Sequence, residues 1–394
     1  MRTVFFRLAG VLMLSLSLAA CTTVKDWFSM DDDEDPRRPA DLVDIEPSAR
    51  LQQLWSVGVG DGQGKGLNKL QPVIAGALIY AASSDGRVAA VERDNGERRW
   101  EKRLEKSLSG GVGHYGGSLF LGTADGELMR VSASDGEIVW STPVSGEILA
   151  PPQGNGSVVV VQTYDGKLHG YEHDTGKRRW SYDSNVPVLT LRGTSTPILS
   201  DGRVFAGFAS GRVVAFDARS GSIEWETRVA IPQGRSEIER IVDIDGTMAL
   251  VGGELYAASY QGRIAAIEAR GGNRIWQRDV SSYSGVSVGF NNVYVADDDG
   301  SVKAFLRNGQ GLRWEQDALA YRELSRPTPV SSYLAVVDLE GYLHLMSQVD
   351  GSFAAREKVD GSGARADMIS DGRTLYVFGN SGKLMAYEIT AGEK

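Results

Sequence analysis

From Asp85 onward, apolar and polar positions recur in a fixed order: an apolar strand, a turn ending in glycine, a second apolar strand, a second glycine turn, then tryptophan. The anchoring glycines are Gly86, Gly126, Gly166, Gly211, Gly262, Gly300, Gly341 and Gly382, eight units at spacings of 38 to 51 residues. A period of that size marks a repeat architecture, in which each unit buries its apolar face by stacking on its neighbours. Two residues after each glycine stands Val88, Leu128, Leu168, Val213, Ile264, Val302, Leu343 or Leu384, and five residues after it Val91, Val131, Tyr171, Phe216, Ile267, Phe305, Met346 or Tyr387. The two offsets have opposite parity, so both faces of this strand are apolar and it belongs between packed sheets.

Four residues after the glycine the side chain is small in six units (Ala90, Gly170, Ala215, Ala266, Ala304 and Ala386) and large in two, Arg130 and Leu345. Fourteen residues after it comes Trp100, Trp140, Trp180, Trp225, Trp276 or Trp314. This register predicts that each indole packs against a small residue of a neighbouring blade. Gly341 is followed at the tryptophan position by Ala355, and Gly382 leaves no room for a further strand before Lys394. Trp55, in LWSVGV, has the reverse defect, a tryptophan strand with no unit before it. Joining the two ends predicts an all-β chain: a single eight-bladed β-propeller of four-stranded antiparallel blades, closed by an N-terminal strand that completes the last blade. The alternative is an open β-solenoid of similar period; the complementary ends argue against it.

A length of 394 residues alone would suggest two or three domains, and the repeat overrides that expectation. The net charge of −9 disfavours nucleic acid. The basic group Arg98, Arg99, Lys102 and Arg103 beside Trp100 reads as a solvated strand edge. Cys21 is the only cysteine, which excludes an internal disulfide and a CxxC site. Arg2 and Arg7 precede an apolar run from Leu8 to Ala20, suited to a secretory signal and too short to span a bilayer at about 20 residues. The expected organisation is a cleaved signal peptide over 1–20, Cys21 and a flexible acidic tether over 21–50, and the propeller over 51–394. Asp31 to Asp35 reads as solvated charge and not as a spaced calcium loop.

Length variation falls in the half of the unit between tryptophan and glycine. Trp140 to Gly166 spans 26 residues, Trp180 to Gly211 31 and Trp225 to Gly262 37. The two insertions belong to consecutive blades, so their loops can meet on one surface, where a rigid ring carries its function. The first contains VLTLRGTSTP, Val188 to Pro197, and the second SEIERIVDIDG, Ser236 to Gly246. Leu189 and Leu191 beside Arg192 form an apolar anchor with a charged flank; Asp243 and Asp245, at alternate positions, project to one side. Equally open on the residues alone is that the leucines face a core and the aspartates support a turn. Glu237 and Arg240 are candidates for orienting the second loop.

With LYVA or VFAG strands, DG or SG turns, GxVxAF and tryptophan, the units resemble the tryptophan-docking repeats shared by pyrroloquinoline quinone (PQQ) enzymes and a second family. LAAC before and at Cys21 resembles the bacterial lipobox, which implies lipid attachment at Cys21, and Thr22 after it implies the outer membrane in preference to the inner; the bland alternative is a stray signal-peptide cysteine. Lipobox, acidic tether, eight repeats and closing strand together are similar to the outer-membrane protein assembly factor BamB family, over essentially the whole chain. That resemblance implies a non-catalytic scaffold of the barrel-assembly complex, lipid-anchored on the periplasmic face of the outer membrane, that assists unfolded β-barrel clients. By the match of the two insertions, it implies that Leu189, Leu191, Arg192, Asp243 and Asp245 contact BamA, and it implies no cofactor or metal.

The competing reading is a PQQ-dependent quinoprotein dehydrogenase. It would need an axial pocket, a calcium ion on carboxylate and amide oxygens and an Asp base. The PQQ alcohol dehydrogenases also carry an adjacent cysteine pair, which a chain with one cysteine cannot supply. His114, His169, His173 and His344 are scattered, and no nucleophile-elbow pattern is visible.

Overall fold

The computed structural model describes residues 37–66 and 68–392. The expected signal peptide, Cys21 and the acidic run lie outside the described residues. The chain divides into the units Met1–Ala40 and Asp41–Lys394, and the propeller lies within the second.

Eight sheets follow one another along this unit, each built on four antiparallel strands that are hydrogen-bonded in chain order in all blades but the last. Blade 1 spans Val73–Arg103, blade 2 Leu108–Pro143, blade 3 Gln153–Asp183, blade 4 Ile198–Arg228, blade 5 Ala249–Val280, blade 6 Val286–Gln316 and blade 7 Thr328–Lys358. Blade 8 takes three strands from Ile369–Ala391 and its outer strand from Ala49–Gly58. Trp55 sits opposite Ala386 and Ala49 opposite Ala391, so the ends close the ring as the sequence predicts. The first strands of neighbouring blades touch one another and therefore line the axis.

The seven tryptophans of the ring share one arrangement. Each stands directly opposite the residue at the small position of its own blade, as in Ala90 with Trp100, Ala215 with Trp225 and Ala304 with Trp314. The expectation that the small residue belongs to a neighbouring blade is therefore corrected: it makes room within the sheet. A register shift just before each tryptophan leaves the preceding residue unpaired, a bulge that turns the indole out toward the next blade. There the indole N–H donates to a main-chain carbonyl: Trp55 to Arg93, Trp100 to Ala133, Trp140 to His173, Trp180 to Ala218, Trp225 to Ala269, Trp276 to Arg307 and Trp314 to Gln348, all at 2.9–3.1 Å. The ring of the indole lies on the next blade's second turn glycine; a Cβ on Gly96, Gly136, Gly176, Gly221, Gly272, Gly309 or Gly351 would come within 2.5–2.8 Å of it.

The seam between blades 7 and 8 has no tryptophan. Leu345 faces Ala355 across the sheet, a large residue against a small one, which inverts the usual pairing. The N-terminal lead fills the seam: Ser48 N–H donates to Ala354 O at 2.9 Å, Gly392 N–H to Ser48 O at 2.8 Å, and Ala49 is buried in the shared core. Leu42 packs on the core between blades 6 and 7, and the Val43 carbonyl accepts from Arg356 at 2.7 Å, so the chain is docked several residues before the boundary expected at 51.

Because strands alternate in direction, the turns of each blade that carry the anchoring glycine lie on the same face as the connections between blades. The tryptophan-receiving turns lie on the other. One anchoring turn departs from the rest: in blade 5 the left-handed residue is Gln261, at φ 45°, and not Gly262.

Candidate functional site

Both insertions emerge on the face of the anchoring turns. Neither leucine lies on a strand: residues 184–197 run without regular structure from blade 3 to blade 4. Val188 is 92% exposed and Leu189 39%, while Leu191 is partly covered. Arg192 stays half exposed, paired with Glu147 at 2.7 Å, with its guanidinium 5.8 Å from the centre of the Tyr164 ring. These contacts hold the guanidinium of Arg192 on one side while its side chain stays partly open to solvent.

The second insertion behaves differently. Asp243 is fully buried and Asp245 only 9% exposed, so the expected projection of both carboxylates to an outer contact surface is corrected. Asp243 Oδ2 instead accepts the Leu191 N–H at 2.6 Å, which joins the two insertions. Gly193 permits the same approach, since a Cβ there would sit 2.7 Å from Asp245 Oδ2. Burial pushes the Asp243 carboxyl up to about 7, partly offset by the Leu191 amide. Burial, and then the neighbouring charge of Asp243, push Asp245 up to about 8, with Lys69 pulling the other way. Asp243 Oδ1, Asp245 Oδ2 and the hydroxyls of Thr194, Thr196, Ser282 and Ser284 are buried without a hydrogen-bond partner.

Between these residues and the outer surface, the stretch Gln233 to Arg240 is exposed throughout. Glu239 orders it, its Oε2 accepting the amides of Arg235 and Ser236 at 2.6 and 3.2 Å. Glu237 and Arg240, the residues expected to do so, point to solvent. Sequence reasoning also missed Glu147, Tyr164 and Gly193. Only Gly193 left a signal, as the glycine inside the first insertion motif; the other two are remote in sequence and ordinary in type.

The axis is crossed by side chains from several connections between blades. Lys69 Nζ donates to the Asp245 carbonyl at 3.3 Å, Thr247 Oγ1 donates to Asp367 at 2.6 Å, and Arg326 lies 3.0 Å from the same carboxylate. Among the described residues no group of three or more His, Cys, Asp or Glu is placed to hold a metal ion.

The profile described as outer membrane protein assembly factor BamB matches residues 48–107 and 84–316. The chain is 48% identical over 381 residues to the outer membrane protein assembly factor BamB of Pseudomonas aeruginosa, covering 97% of this chain and 98% of that one. It is 32% identical to the Bordetella pertussis protein of the same name, over 90% of each chain. Among solved structures, BamB from Moraxella catarrhalis superposes with a TM-score of 0.78 at 28% identity, over 86% of this chain and all of that one. The quinohemoprotein alcohol dehydrogenase of Comamonas testosteroni superposes at 0.68 with 13% identity, covering 87% of this chain and 77% of that one, a likeness of fold alone. An eight-bladed ring closed by its N-terminal strand, interrupted by two insertions that meet through Asp243 and Leu191, and matched along its length by these relatives, identifies the chain as a member of the outer membrane protein assembly factor BamB family.

Proposed function

We propose that this chain is a non-catalytic subunit of the barrel-assembly complex that docks BamA on the surface made by its two insertions, while β-barrel proteins fold and insert. The Asp243–Leu191 hydrogen bond carries the reading, because it turns two separate loops into one patch with Val188, Leu189 and Arg192 facing outward. An apolar anchor beside a half-buried arginine is the composition that dominates binding energy in protein interfaces. Leu189, Leu191 and Arg192 make the contact; Asp243 and Asp245 hold the contact residues in place from beneath. A lipid on Cys21 keeps the ring at the periplasmic face of the outer membrane.

A quinone enzyme of this fold would place its cofactor at the axis. Here Lys69, Asp245, Thr247, Arg326 and Asp367 meet there and bind one another, so these residues do not fit a quinone with its calcium ion. The scaffold reading is tested by capture of BamA with the double variant Leu191→Ala plus Arg192→Ala. Loss of an anchor and its flank predicts weakening of about tenfold or more. Undiminished capture by a correctly folded double variant overturns the assignment.

A further inference from the structure

Blade 2 differs from the others in having a fifth strand. Lys69 and Leu70 pair parallel with Gly110 and Gly111 at its inner edge. The pairing continues through Gln71, whose N–H donates to Gly111 O at 2.7 Å and whose carbonyl accepts from Val112 at 2.9 Å. The Gln63 amide closes on Leu70 from both sides, donating to its carbonyl at 2.5 Å and accepting from its N–H at 3.1 Å. A two-residue strand held this firmly, with Leu70 wholly buried, leaves its first residue little freedom.

That first residue is Lys69. Its ammonium reaches the Asp245 carbonyl, 176 residues along the chain and four connections around the ring. The charged groups facing it are the carboxylates of Asp245 and Asp367 and the guanidinium of Arg326; burial lowers its proton affinity and the two carboxylates partly restore it. The segment it touches is held at three points: Asp243 binds Leu191, Lys69 binds Asp245, and Thr247 binds Asp367. An ammonium withdrawn from water costs free energy unless it is paired and hydrogen-bonded, so an apolar residue would serve a merely space-filling role better.

We propose that Lys69 is a positioning residue for the partner-binding patch, a strut from the connection between blades 8 and 1 that fixes the Asp243–Thr247 segment and, through Asp243, the backbone of Leu191. The inference rests on the reading that this patch meets BamA. Lys69→Met keeps the apolar stem and removes the donor and the charge; Lys69→Arg keeps both.

The test measures hydrogen exchange at the Leu191 amide, the ionisation of Asp245 by carboxyl-carbon NMR, and capture of BamA, all on the full chain. Lys69→Met is expected to speed Leu191 exchange about tenfold, the loss of one charge-assisted hydrogen bond. It is also expected to move Asp245 ionisation to higher pH and to weaken capture by a similar factor, while Lys69→Arg restores all three. The shift of Asp245 ionisation to higher pH and its rescue by arginine are changes that lost packing alone would not produce. If the methionine variant fails to fold, Thr247→Val cuts the same segment at its other end with Lys69 still charged, and is expected to speed Leu191 exchange likewise. Unchanged Leu191 exchange in the folded variants overturns the strut. Full capture by Lys69→Met, where Leu191→Ala plus Arg192→Ala loses it, overturns the positioning role. Full capture by both variants, with Leu191 exchange accelerated, sinks the docking assignment and upholds the strut.

Discussion

The two faces of the ring come from one repeat and end in opposite states. On one, each of seven indoles finds a carbonyl at 2.9–3.1 Å and a glycine to lie on, so the turns close on the neighbouring blade. On the other, where the insertions interrupt the period, Asp243, Asp245 and Thr194 bury oxygens without partners, and Val188 and Leu189 stand in solvent. Groups left unsatisfied at a fixed place are costly to a fold and useful to an interface. The repeat supplies stiffness, and the departures from it supply the chemistry.

The largest expected effect breaks the tightly closed face. Trp225→Ala removes an almost fully buried indole between blades 4 and 5, and should cost about 3–5 kcal/mol in denaturant unfolding. Leu189→Ala, on the open face, should stay within about 0.5 kcal/mol. Equal losses would mean that the two faces do not divide stability from function.

A pair of glycines sharpens the point. Gly272 and Gly76 both have left-handed backbones, at φ 74° and 63°, so alanine at either carries a similar strain of about 1–2 kcal/mol. At Gly272 the new Cβ also meets the Trp225 ring at 2.6 Å, whereas at Gly76 it meets nothing within 4 Å. Gly272→Ala should therefore lower the unfolding midpoint further than Gly76→Ala, and indistinguishable midpoints would count against the indole contact.

The smallest effect concerns pH. Asp243 and Asp245, raised to about 7 and 8, keep protons in the folded state that the unfolded chain sheds near its ordinary carboxylate value of about 4. Their contribution to stability is thus greatest at low pH and is lost as pH rises from about 4 to about 8. Replacing both by asparagine should flatten this decline in melting scans between about pH 5 and 9. An identical slope in the two proteins would show that the carboxylates are not held neutral.

The ring was legible because its signals are periodic. Glycine, small residue and tryptophan recur at fixed offsets, and the defects at Ala355 and Trp55 reveal the closure. Parity could not say where the indole goes, since the bulge before it is a backbone event; hence its packing partner was misplaced. The leucines and Arg192 stood out as an apolar pair beside a charge. The aspartates were misread because alternate spacing implies a shared side only on a strand, and residues 241–245 form none. Lys69 gave no signal at all, for its meaning lies in a contact with a residue 176 positions away.

The central claim is that the partner sits on the insertion face. Photocrosslinking in cells from a reactive side chain placed at Leu189, compared with one at exposed Asn95 in a tryptophan-receiving turn, tests it most directly. The account predicts a BamA adduct from position 189 and none from position 95; adducts from position 95 alone would contradict it.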